Sequence, residues 1–211
     1  MTAGEQARGR AREALELLDW KRRVQALYAE VRAAADPAAA WARWRAVRDD
    51  LFARHPQSPL PPAARAGFAG LPVFAHDPAL RVVAEVDDAP PARLEIPTSG
   101  GGTTVFTRCG VARFLLAGAP QALELYWLEA YGGGVFLPFA DATSGPETYG
   151  AGRYLLDTVK GADLGAVDGR LVLDFNFAFH PSCAHDPRWA CPLAPPPNRL
   201  GVPVRGGERS P

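Results

Sequence analysis

Between residues 13 and 31 the apolar positions Leu17, Trp20, Val24, Leu27, Tyr28 and Val31 recur three to four apart among charged residues, which predicts an amphipathic helix. Asp36 before Pro37 reads as the N-cap and first-turn proline of a second helix. Its apolar side carries Trp41, Trp44, Val47, Leu51 and Phe52, and it ends near His55-Pro56. A proline-rich stretch at 57–62 leads to a short helical turn at 63–68, after which the period changes. Short apolar or alternating runs at 80–86, 93–97, 103–109, 112–116, 121–129, 135–139, 153–157 and 171–177 are divided by Gly, Pro, Asp or Ser clusters, as strands are. The pattern predicts an α+β chain. A helical N-terminal arm of two helices, residues 1–56, precedes an antiparallel β-barrel or sandwich-like body, residues 57–211, all in one structural domain.

Composition narrows the function classes. The 23 basic and 23 acidic residues cancel, so no net charge draws the chain to nucleic acid or to an anionic membrane. Residues 1–70 hold 12 of the 23 basic and 8 of the 23 acidic side chains, a mild excess interleaved along the helices as on a solvated face. The N-terminal stretch from Met1 to Gln6 has no apolar core behind a basic start, and no run approaches the length of a membrane span. Three cysteines, an odd number at wide spacing, speak for a reducing compartment. The expectation is a soluble cytoplasmic protein with no nucleic-acid or membrane partner, its oligomeric state unread.

Two blocks concentrate polar side chains. In the first, Asp141, Thr143, Ser144, Thr148, Tyr149, Arg153 and Tyr154 set hydroxyls, an acid and a guanidinium around a loop between strands. Arg153 could clamp a carboxylate or phosphate in bidentate fashion, with Tyr149 and Tyr154 beside it. Equally, Arg153 could pair with Asp141 or Asp174 inside the fold while the small polar residues cap the loop. In the second, Asp174 and Asn176 alternate with Leu173, Phe175 and Phe177, which places both on one face of a strand. Asn198, Arg199 and Glu208 could close the same end from the tail, or satisfy the tail's own backbone. Gly132 to Gly134 and Ser99 to Gly102 lack the strand-loop-helix context of a phosphate loop and read as hairpin turns.

These blocks, together with 52–60 and 68–74 upstream, resemble the bacterial and archaeal domain-of-unknown-function family DUF1684, in its short form, from about Trp44 to Glu208. The resemblance carries no activity. It does imply that His180 and His185 stand where similar proteins usually have Asn and Tyr. These histidines belong to the series His180, Cys183, His185 and Cys191, whose two imidazoles and two thiolates could complete a tetrahedral zinc site, although the spacing is that of no standard finger. The two cysteines alone allow buried thiols, a disulfide, or a reactive Cys183 beside a histidine. Cys109 reads as core filling.

The functional reading is therefore a site for a small polar or anionic molecule at one end of the β-body. Its lining is Asp141, Thr143, Tyr149, Arg153, Tyr154, Asp174, Asn176, Asn198 and Arg199. The alternatives are the zinc site and an interaction module docking through the helices that carry Trp20, Trp41 and Trp44. No catalytic residue is assigned, and whether the chain is an enzyme stays open.

Overall fold

The computed structural model describes residues 3–129 and 131–210; Met1 and Thr2, part of the stretch read for a leader, lie outside them. Helix α1 (Ala3–Ala33) and helix α2 (Pro37–Arg54) are followed by one short turn, α3 (Pro62–Arg65). The Asp36 side chain accepts hydrogen bonds from the backbone N–H groups of Ala38 and Ala39, satisfying donors that α2 leaves free at its start.

Among the described residues eight antiparallel strands follow: β1 (Arg81–Asp87), β2 (Ala92–Pro97), β3 (Thr103–Leu116), β4 (Ala119–Leu128), β5 (Val135–Phe139), β6 (Arg153–Asp157), β7 (Ala166–Val167) and β8 (Arg170–Asp174). They form one curled sheet in the order β6-β5-β4-β3-β1-β8-β7, with β2 also on β3, a half-barrel rather than a closed barrel. The long β3 is shared along one edge, its first half pairing with β2 and its second with β1.

The apolar stripes meet where the spacing requires. Val24, Leu27 and Tyr28 of α1 and Trp44 and Leu51 of α2 are buried in one cluster with Ala84, Ala112, Phe114, Leu123, Leu137, Leu155 and Leu173 of the sheet. Trp44 is wholly buried, edge-on to Phe177, and Trp20 and Trp41 pack against the same cluster. Of the tryptophans considered for docking, Trp44 is thus an interior residue, while Trp20 and Trp41 are partly buried. A second cluster, Ile96, Phe106, Tyr126, Phe136 and Tyr154, fills the β2 end of the sheet.

Three local differences from the sequence reading have physical causes. The runs at 103–109 and 112–116 are one strand with a bulge between Arg108 and Gly110. A Cβ at Gly110 would lie 3.1 Å from the Asp87 carbonyl oxygen, so this glycine, read as a break, lets β1 come close. The run at 171–177 leaves the sheet after Asp174 because its carboxylate accepts the Asn176 N–H and turns the chain into a 3-10 turn, Phe175–Phe177. The missed β7 pairs with β8 through Asp168-Gly169, both at positive φ, as a two-residue hairpin demands.

Residues 199–210 return along the body. Arg199 bridges to Ala140, and Glu208 pairs with both Val73 and Ala178. At Gly207 φ is +72°, and a Cβ would sit 2.2 Å from the Ala178 carbonyl oxygen, so no other residue passes there. Among the described residues no helix is long and apolar enough to cross a membrane.

Candidate functional site

Most of the polar residues expected to line a ligand are turned to the protein's own backbone. Arg153 is wholly buried: Nη2 donates to Asp141 Oδ2 at 2.9 Å and to the Val204 carbonyl at 2.7 Å, and Nη1 donates to the carbonyls of Gly206 and Glu208. The other carboxylate oxygen of Asp141 accepts the N–H groups of Thr143 and Val204, and the Thr143 hydroxyl meets that of Thr148. These groups fasten the tail to the loop. Asn198 spans β4 and β5 like a piece of strand, accepting the Glu124 N–H and donating to the carbonyls of Glu124 and Pro138. Asn176 likewise exchanges two hydrogen bonds with the backbone of Asp77, and it sits on a 3-10 turn rather than on a strand. Asp174 caps that turn and lies 3.6 Å from Arg81, the Tyr154 hydroxyl donates to the Pro192 carbonyl, and Arg199 is exposed.

What the fold does bring together lies under the tail. Tyr149, His180, His185 and Glu208 line one side of a cavity of about 450 Å³. Leu60, Phe68, Leu71 and Pro72, from the α3 region, line the other, and Arg209 and Ser210 complete it. Concave, mostly apolar walls with a few converging polar groups are the ordinary form of a small-molecule site. Glu208 is buried and fixed twice: Oε1 takes Nε and Nη2 of Arg48, and Oε2 takes the His180 N–H at 2.7 Å. Burial pushes its carboxyl upward, but the Arg48 guanidinium and the backbone N–H of His180 outweigh that and hold it below the usual carboxylate range. Arg48 itself stacks over Trp44, Phe52 and Phe179.

Both histidines are held neutral. Burial above all lowers the pKa of His180 to about 4 and depresses that of His185. His180 Nε2 accepts the Tyr149 N–H at 3.2 Å, so in the neutral ring the proton resides on Nδ1, a donor. His185 stands edge-on to Phe52 at 4.9 Å, and its Nε2 is buried without a partner.

A pH dependence follows. In the folded state His180 titrates near 4, against an ordinary value of 6.5, so between these pH values the unfolded chain binds the extra proton. The stability that comes from keeping this ring neutral is fully present above pH 6.5 and is lost as pH falls toward 4, a decline of roughly 3 kcal/mol. Urea midpoints collected across that interval should fall with pH, and the slope should flatten in His180→Asn. A variant that keeps the wild-type slope would show that another group sets it.

The four side chains considered for zinc separate into two sets. His180, His185 and Glu208 have ligand atoms within 4.8 Å of one another, whereas no three of His180, Cys183, His185 and Cys191 form such a group among the described residues. Two imidazoles and a carboxylate are a familiar zinc set. Here, however, both carboxylate oxygens already accept hydrogen bonds, and His180 offers an accepting nitrogen already in use and a protonated one. Cys183 instead approaches the Tyr149 hydroxyl, at 3.7 Å, and Cys191.

Sequence reasoning missed Arg48, taken with the solvated helix charges. The signal was present, since Arg48 follows Trp44 by four residues and precedes Leu51 and Phe52, inside the apolar stripe.

The family model described as "Protein of unknown function (DUF1684)" matches residues 66–209, so the match begins downstream of Trp44. The solution NMR structure of an uncharacterized protein from gene locus rrnAC0354 of Haloarcula marismortui is 35% identical, with a TM-score of 0.58 over 79% of this chain and 90% of that one. No curated protein matches.

Proposed function

This chain belongs to the DUF1684 family, and from the cavity built largely by its family segment we propose that it binds a small molecule with an apolar body and an oxygen-bearing polar or anionic head. The observation that carries this reading is the partnerless, buried Nε2 of His185 on the wall of a cavity large enough for such a molecule. The polar side is rich in donors and poor in acceptors. His180 presents a ring N–H, Arg209 stands at the wall, and the Glu208 oxygens are occupied. A carboxylate or carbonyl oxygen is the head that such donors satisfy, while Leu60, Phe68 and Leu71 suit a short alkyl or aryl body.

A thermal-shift panel of benzoate and short-chain alkyl carboxylates tests this. A panel member at one hundred times its Kd adds about 2.7 kcal/mol, which raises the Tm of a chain of this size by roughly 5–10 °C. His185→Phe preserves the ring against Phe52 but removes Nε2, and it should abolish the shift with little change in the unliganded Tm. Zinc chloride in the same assay separates a hydrogen-bonded guest from a metal. Wild-type protein that responds to zinc alone, or to nothing, contradicts the reading.

A further inference from the structure

Cys183 and Cys191 do not line that cavity, and they form a site of their own. Cys183 sits in a 3-10 turn, Ser182–Ala184, and Cys191 stands eight residues later in sequence. The return is pinned to the tip of the β2–β3 hairpin: the Cys191 N–H donates to Ser99 Oγ at 3.0 Å, the Ser99 N–H donates to the Cys191 carbonyl at 3.0 Å, and the Ser99 hydroxyl donates to the Trp189 carbonyl at 2.9 Å. This sets Cys191 and Ser99 beside the Cys183 sulfur, whose thiol hydrogen-bonds the Tyr149 hydroxyl at 3.7 Å. Polar hydrogens beside a sulfur stabilise its thiolate, and a neighbouring second thiol can resolve what the first forms.

We propose that Cys183 and Cys191 are a peroxide-sensitive dithiol pair, Cys183 attacking and Cys191 resolving. The Cys183 sulfur attacks one oxygen of a hydroperoxide, the O–O bond breaks, and the alkoxide or hydroxide leaves with the proton that Cys183 gave up. Cys183 is then a sulfenic acid and the peroxide has been reduced to an alcohol or water. The Cys191 sulfur attacks the sulfenic sulfur, its S–H proton joins the departing hydroxyl as water, and a disulfide remains. An exogenous dithiol reverses the change, returning two thiols and becoming a disulfide itself. Both cysteines are buried, which favours a small oxidant over a bulky disulfide.

Hydrogen bonding with Cys191 above all, and also with Tyr149, holds the Cys183 thiol below its ordinary pKa against the opposing effect of burial, while the Cys191 thiol is raised. Cys109 is the internal control. It is more exposed than Cys183, yet burial of its sulfur raises its pKa and it donates to the Leu125 carbonyl. Exposure alone would make Cys109 react first; the geometry at Cys183 reverses that order.

The test is one equivalent of hydrogen peroxide added to the reduced full chain at pH 7, followed by cysteine-resolved mass spectrometry. A Cys183–Cys191 disulfide is expected, formed roughly tenfold or more faster than Cys109 is oxidised. Cys191→Ser should stall at a Cys183 sulfenic acid that dimedone traps, and dithiothreitol should restore three free thiols to the wild type. Oxidation of Cys109 first, or three free thiols left after the peroxide is consumed, overturns the proposal.

Discussion

Arg153→Ala should lower the free energy of unfolding by about 3–5 kcal/mol, the scale for removing one partner of a buried charge pair. The reason lies in what the guanidinium leaves behind. Asp141 would be left buried without its counter-charge, and the carbonyls of Val204, Gly206 and Glu208 would lose their donors together. Urea unfolding at pH 7 measures the effect, with the midpoint falling and the tail of the variant opened to proteolysis. Arg153→Lys keeps a charge but not the planar fork, so it should recover only part of the loss. A loss below about 1 kcal/mol, the range of an exposed ion pair, would mean that the tail is held by other contacts.

The second large effect is expected at the side chain of Glu208, on the same tail. Arg48→Met keeps a long side chain against Trp44 and Phe52 but strands the buried Glu208 carboxylate, and about 3–5 kcal/mol of stability should go. Adding Glu208→Gln removes the stranded charge, so the double variant should lose less than the two single losses added together. The cycle measured by urea unfolding would come out additive if the pair were only adjacent. Because His180 donates its N–H to Glu208, the single Arg48 variant should also shift the ring signals of His180 in NMR spectra.

The elements were legible because local physics writes them. The three-to-four spacing of Val24, Leu27 and Tyr28, the Asp36-Pro37 pair and the alternation in β4 each act over a few residues, and each lies where that chemistry puts it. Asp168-Gly169 was just as readable as a hairpin turn, but a two-residue strand offers too little alternation to be noticed beside it. The site was a different matter. Asn176 and Asn198 in a sequence are identical to asparagines that hold a ligand; only the backbone they face reveals that they replace strand hydrogen bonds. Tyr149, His180 and Glu208 meet because the tail comes back over Ala178, which depends on Gly207 and on Arg153 at long range. No periodicity records such a path, and most of the residues singled out in the polar blocks bond the protein's own backbone.

Arg48 and Glu208 stand 160 positions apart, and besides Asp141 every acceptor of Arg153 is a carbonyl of the last segment, at Val204, Gly206 and Glu208. During synthesis the helices and the sheet therefore emerge with Arg48 lacking its counter-charge and Arg153 lacking three of its acceptors. The nascent chain can collapse early, but it cannot dehydrate these cations until the returning segment leaves the ribosome. Completion of the interior is thus a late event, set by the most distant contacts in the chain. A translational pause or a premature stop shortly before residue 204 would leave a compact, sheet-containing intermediate with its charged seam still wet, the form that a cell's proteases and chaperones are equipped to recognise.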